Sequence, residues 1–201
     1  MTETQMAHID YYFSLLSPFT YLAGDGLETI AAKHSATITY RPADFMRVFN
    51  ETGGLPVPKR HPFRQDYRLQ ELRRLSERAA LPLNIQPAHW PVDAERASSA
   101  VIAVADQGGD AGKLARAFLS ACWAEDRDIS DPETIAAILS ENDLDEAVLT
   151  PGIDAAVPRY AENTDLCLEN GVFGAPFYIV GGEKFWGQDR LDFLDWHLGK
   201  G

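Results

Sequence analysis

The residue types best placed to do chemistry in this chain are Ser17-Pro18-Phe19-Thr20, just after an aromatic first strand, and Gly174-Ala175-Pro176-Phe177 near the far end. Ser-Pro is an ordinary way to begin a helix: the serine oxygen caps free N–H groups, and proline fills a first position where its missing N–H costs nothing. A strand followed by a helix start is also where free N–H groups and the helix dipole attract negative charge, and a sulfur anion suits such a place. Lowering a thiol pKa of about 8.5 by two units takes roughly 2.7 kcal/mol of preference for the thiolate. A hydrogen bond to a charged group gives about 1.5–3 kcal/mol and a helix terminus about 0.3–1, so the Ser17 hydroxyl with nearby amides is sufficient. The serine then acts as a donor. The five histidines (His8, His34, His61, His89, His197) show no Asp-His-Ser signature and no G-x-S-x-G elbow to make it a nucleophile. No H-E-x-x-H or Cys/His cluster points to a metal.

Ala175-Pro176 precedes a strand, where an ordinary trans proline is one expectation. A cis peptide is the other, and it aims the Ala175 N–H and C=O into a cleft, able to pair with a bound peptide's main chain. Asp189, in Trp186-Gly187-Gln188-Asp189-Arg190, reads equally as a helix cap and as a carboxylate for an ammonium group. Cys122 and Cys167 sit among apolar and small residues in helical stretches, which predicts buried free thiols. Asn50-Glu51-Thr52 matches a glycosylation acceptor, and without a secretory signal it carries no weight.

Around these residues, His8–Phe13 predicts a buried strand. Phe19, Leu22, Ala23, Leu27, Ile30 and Ala31 then recur at helical spacing as one helix, and 36–41 predicts a second strand that completes a right-handed β-α-β unit. From 44 to 155 the pattern is helical, with helices near 64–80, 93–107, 111–123, 131–141 and 144–150, and Asp93, Asp110, Asp131 and Asp143 as caps. A helix near 155–170, a hairpin across Gly181-Gly182 and a short helix from about 189 close the chain. Strands at the two ends only must pair with each other to make one sheet, which brings Ser17 and Pro176 together.

The 201 residues, 45% hydrophobic and 24% charged, suffice for one sizeable core. No apolar run reaches the ~20 residues that cross a bilayer, and Met1-Thr2-Glu3-Thr4-Gln5 lacks a basic region before an apolar stretch, so no membrane partner and a cytoplasmic location are expected. The net charge of −12 argues against nucleic acid. Lys59 to Arg78 runs the other way, with seven basic residues against three acidic ones. That segment is either an attractive patch for a small anion or a solvated helix face of opposite charges, such as Glu77 with Arg73 and Asp66 near Arg68.

These residues resemble the 2-hydroxychromene-2-carboxylate isomerases and the related kappa-class glutathione transferases, which share the thioredoxin-like fold of the disulfide oxidoreductase DsbA. The resemblance rests on Asp10–Phe13 with Ser17–Ala23, Thr52-Gly53-Gly54, Trp123–Ile129, Gly171–Pro176 and Phe185–Leu191. In thioredoxin-like folds a C-x-x-C faces a cis-proline loop; Ser17 and Thr20 stand here in place of both cysteines, so no disulfide can form. The fold implied is α/β, one domain over 1–201, with a thioredoxin-like (DsbA-type) sheet from 7–43 and 156–201 and an all-helical insertion at 44–155. The activity implied is a glutathione-dependent cis-trans isomerase that interconverts 2-hydroxychromene-2-carboxylate and trans-o-hydroxybenzylidenepyruvate, or a related aromatic 2-oxo acid, in aromatic catabolism. Thiolate addition to the conjugated double bond, rotation and elimination would restore the glutathione. The alternatives are a kappa-like transferase that conjugates electrophiles and a non-catalytic thiol- or peptide-binding module. The resemblance further implies Ser17 as the catalytic residue that activates the glutathione sulfur, Ala175 and Pro176 beside its cysteinyl backbone, Gln188 and Asp189 at its γ-glutamyl end, and Arg64 or Lys59 at its glycyl carboxylate. It also implies a homodimer and a small anionic aromatic substrate. Gly54 stands where many relatives carry Asn, and Ser14 where many carry Asp or Asn. Phe45, Phe49, Trp90 and Trp186 either line an aromatic pocket or pack in the core.

Overall fold

The structure is a computed structural model that describes residues 6–200, so the stretch Met1–Gln5 lies outside the described residues. Four strands form one sheet in the order β2-β1-β3-β4: β1 His8–Phe13, β2 Thr37–Pro42, β3 Phe177–Val180 and β4 Glu183–Trp186. β1 pairs parallel with β2 and antiparallel with β3, with Tyr12 opposite Phe177. It therefore lies inside the sheet, and Tyr11, Tyr12 and Phe13 are buried on both of its faces, which explains the aromatic run there. Ile9, Tyr11 and Phe13 point into the main core, where Tyr11 stacks on Tyr178 at 5.2 Å between ring centroids. Tyr12 and Phe177 point into a smaller cluster on the opposite face with Phe45, Val48, Cys167 and Val172. The β3–β4 turn puts Gly181 and Gly182 at φ +56° and +89°, values that both central residues of the favoured hairpin turn require.

The predicted first helix is two. α1 Pro18–Tyr21 is a single turn, and α2 Gly26–Lys33 restarts after Gly24, which sits at φ +60°. The apolar spacing persists across the break, which is why periodicity alone joined the pieces. α3 Phe45–Thr52 was not foreseen as a helix of its own, although its signals are present: Asp44 accepts from the Met46 and Arg47 N–H groups, and Gly53 ends it at φ +80°. Then follow α4 Pro62–Ala79, α5 Glu95–Asp106, α6 Ala111–Trp123, α7 Pro132–Glu141, α8 Glu146–Glu169 and α9 Leu191–Leu198. Asp110 and Asp131 cap α6 and α7 as predicted, accepting from Lys113 and Thr134 N–H, whereas the N-cap of α5 is Ala94 and Asp93, one residue earlier, accepts from the Glu95 N–H. Asp143 instead takes a left-handed turn, and Asp145 accepts from the Ala147 N–H at the start of α8.

The two helices expected on either side of residues 151–154 are one, α8, with Pro151 and Pro158 inside it. Leu149, Ile153 and Ala156 are buried along it, and this packing outweighs the local cost of the prolines. α5 is buried at every position from Ala97 to Val104 and forms the centre of the helical layer. Cys122 and Cys167 are buried free thiols, each pushed up to about 12 by burial.

The main core reaches the end of β1 through Trp123, which is fully buried and donates its Nε1–H to the Leu15 carbonyl at 3.2 Å. Trp123→Phe leaves that acceptor unpaired beside a void, so urea denaturation should show a loss of about 1–3 kcal/mol; an unchanged midpoint contradicts this role.

Candidate active site

The chain leaves β1 through a tight turn, in which the Ser17 N–H donates to Ser14 O at 3.1 Å. Ser17 is extended, at φ −98° and ψ 116°, and caps α1: its Oγ accepts from the Thr20 N–H at 3.2 Å. The same hydroxyl donates to the Ala175 carbonyl at 3.3 Å, across 158 positions of sequence. Since α1 is one turn long, its dipole adds little, and any anion beside Ser17 depends on the hydroxyl and the local N–H groups. The Thr20 N–H polarises the hydroxyl as a donor. Thr20 itself is 2% exposed, and its Oγ1 has no hydrogen-bond partner.

The facing wall is the loop before β3. The Ala175–Pro176 peptide is cis, and Pro176 O accepts from the Gly187 N–H at 2.9 Å, tying this loop to the end of β4. Among the described residues the Ala175 N–H has no partner, so it is available to an extended chain laid beside it. Gly174 must lack a side chain, because a Cβ there would collide with the Trp186 indole. Trp186 in turn packs edge-on against Phe173 at 4.8 Å.

Between these walls lies a cleft of about 310 Å³, at the small end of ligand pockets. Ser14, Ser17, Gly174 and Ala175 are among its lining residues, and Phe45, Met46, Phe49, Trp90 and Trp186 contribute apolar surface. The four aromatic residues proposed for a pocket thus all reach it. Trp90 precedes a second cis peptide, Trp90–Pro91, and donates its Nε1–H to Leu16 O at 3.0 Å.

The remaining candidates are placed as follows. Gly54 lies behind the cleft against the Phe49 ring, where a Cβ would come within 2.6 Å. Gln188 and Asp189 sit in a short 3₁₀ turn beyond Trp186; Asp189 caps no helix but pairs with Arg190 at 2.7 Å. Lys59 and Arg64 are exposed and off the cleft wall. The cations that line the cleft are Arg60 and Arg68. Arg68, 8% exposed, lies with its guanidinium 5.5 Å from the Trp90 ring centroid. Burial and the neighbouring Arg60 push it down to about 10, and Arg60 is lowered as well. The expected pairings of Arg68 and Arg73 are not formed; the ion pair of α4 is Arg74–Glu71 at 2.8 Å. A signal for Arg68 was available, since it lies four residues before the buried Leu72 on the same helix face.

Among the described residues no carboxylate lies within ion-pair distance of Arg68, so its charge is desolvated with only the Trp90 ring face to offset the cost. Arg68→Met should therefore raise the Tm of the ligand-free protein by about 2–4 °C, the shift that roughly 1 kcal/mol produces at this size. A lower Tm in calorimetry would show instead that the charge supports the fold.

A family model described as a DSBA-like thioredoxin domain matches residues 8–199. The chain is 30% identical over 196 residues to 2-hydroxychromene-2-carboxylate isomerase of Pseudomonas putida, covering 96% of this chain and 94% of that protein. It is 26% identical over 205 residues to glutathione S-transferase kappa 2 of Caenorhabditis elegans, covering 92% and 91%. A solved 2-hydroxychromene-2-carboxylate isomerase superposes with a TM-score of 0.81 at 28% identity, over 96% of this chain and 95% of that one. The match runs from the first strand to the last helix, and the chain belongs to the DSBA-like thioredoxin domain family, on the side of it that holds the 2-hydroxychromene-2-carboxylate isomerases.

Proposed function

We propose that the protein is a glutathione-dependent isomerase of an aromatic 2-oxo acid, with 2-hydroxychromene-2-carboxylate and trans-o-hydroxybenzylidenepyruvate as the model pair. The observation that carries this is the Ser17 hydroxyl, which faces the Ala175 main chain in a cleft that contains no cysteine. The relatives named as isomerases and as kappa-class glutathione transferases support the same reading.

The residues present fit a peptide thiol. The Ala175 N–H and C=O match the main chain of a cysteinyl residue, and Gln188 and Asp189 lie beyond Trp186 for its γ-glutamyl end. When bound, glutathione supplies a thiolate that adds reversibly to the activated double bond and is regained at the end of turnover. Ser17 turns its proton from the Ala175 carbonyl toward the sulfur. The bond it gives up, at 3.3 Å, is long and worth about 0.5–1.5 kcal/mol, whereas a hydrogen bond to a thiolate is worth about 1.5–3. The Thr20 N–H stays on Oγ throughout, so the cap survives the switch. The aromatic wall of Phe45, Phe49 and Trp90 excludes water from the sulfur and takes the flat substrate. The same proposal places the protein in the cytoplasm as a homodimer, on the pattern of the family.

Ser17→Ala should lose at least about 100-fold in isomerisation rate, roughly 2.7 kcal/mol, while costing only the cap, about 1 kcal/mol of stability. The assay follows the conversion of hydroxychromene carboxylate by absorbance, with free thiol counted before and after. Full rate in the mutant removes Ser17 from the mechanism. A net loss of free thiol makes the protein a conjugating transferase, and thiol binding without turnover makes it a binding module.

A further inference from the structure

Arg68 is a buried cation with no anion beside it among the described residues. A charge taken from water is costly, and a protein meets that cost with a partner, a ligand or a shifted equilibrium. Its guanidinium carbon lies over the Trp90 ring, 5.5 Å from the centroid, in a cation–π contact, and Trp90 donates a hydrogen bond to the carbonyl of Leu16, the residue before Ser17. The cation therefore stands on a platform anchored to the same turn that aims the Ser17 hydroxyl. Arg60, whose Nε–H is held by Leu55 O at 2.7 Å, adds a second positive charge to the same wall.

Behind this wall is a second cavity of about 300 Å³. Arg68, Trp90 and Val57 line both cavities, so these three residues form the partition between them. Gln65, Leu69, Ile85, Gln86 and Pro87 complete the second chamber, which mixes amide and apolar surface. The main cleft is thus two-sided. The Ala175 wall offers main-chain groups suited to a peptide, whereas the Arg68 wall offers a guanidinium fork, which suits a carboxylate, beside an indole, which suits a flat ring.

We propose that Arg68, supported on Trp90 and seconded by Arg60, is the specificity-determining group that binds the carboxylate of a planar aromatic acid, with the second cavity receiving the acid end. This rests on the proposed isomerase reading only for the role of that acid as second substrate; the anion site follows from the unpaired buried charge. It separates the roles of the cations: the exposed Lys59 and Arg64 are free to attract anions from a distance, and Arg68 selects at contact.

The test is isothermal titration of the full chain with cinnamate and with its neutral isostere cinnamamide, with and without glutathione. Cinnamate should bind at least about 10-fold more tightly than the amide. Arg68→Gln should lower cinnamate affinity about 10- to 100-fold, to that of the amide, and leave glutathione affinity unchanged. Arg68→Lys, which keeps the charge and loses the fork, should fall between the two. Equal binding of acid and amide by the native protein overturns the proposal, and this comparison decides the matter even where Arg68→Gln does not fold. Loss of glutathione affinity in Arg68→Gln with cinnamate unaffected also overturns it, since the arginine would then serve the tripeptide. Selective cinnamate binding without any glutathione binding upholds the anion site and removes the thiol reading instead.

Discussion

The antiparallel pairing of β1 with β3 is the constraint on which the site depends. Tyr12 lies opposite Phe177, so the chain leaving β1 and the chain entering β3 meet at the same end of the sheet, and Ser17 reaches Ala175. A slip of one residue would turn Tyr11 and Phe13 out of the main core and expose their rings. The stack of Tyr11 on Tyr178 and Phe13, and the opposite pairing of Tyr12 with Phe177, both depend on this register. Trp123 of α6 and Trp90 of the loop before α5 secure it, because each holds a carbonyl of the Leu15-Leu16 turn. Core packing and site geometry are therefore set by the same contacts.

Where the core gives way to the cleft, the chain retains groups that a purely structural protein would not keep. Among the described residues the Ala175 N–H has no partner and Arg68 is charged, desolvated and without a carboxylate. Each is unfavourable in the empty fold and favourable beside a suitable ligand, the pattern expected when stability is given up for binding. The electrostatics agree: a chain of net charge −12 repels anions over most of its surface but carries a surplus of arginine beside this cleft.

Much of this was legible in the sequence because it is local. The Ser17-Pro18 cap, the Gly181-Gly182 hairpin and the strand His8–Phe13 each follow from a few adjacent residues and appear where expected. The parts that were not legible depend on distant packing. α8 continues through Pro151 and Pro158 because Leu149, Ile153 and Ala156 are buried along it, a contact that no local rule contains. The arginine that turns inward could not be told from charge balance, since Arg64 and Arg68 belong to one basic run. Only the helical phase of Leu72, and the arrival of Trp90 from another loop, distinguishes Arg68. The break between α1 and α2 likewise escaped detection, and it shifts the burden of anion binding from the helix dipole to the Ser17 hydroxyl.

The most direct test of the account is the ultraviolet difference absorbance of glutathione bound to the native protein and to Ser17→Ala, followed across pH. Thiolate should appear about two units below the ordinary thiol value of about 8.5 with the native protein and return to it in the mutant. Bound glutathione that ionises at the same pH in both proteins would contradict the central role given to Ser17.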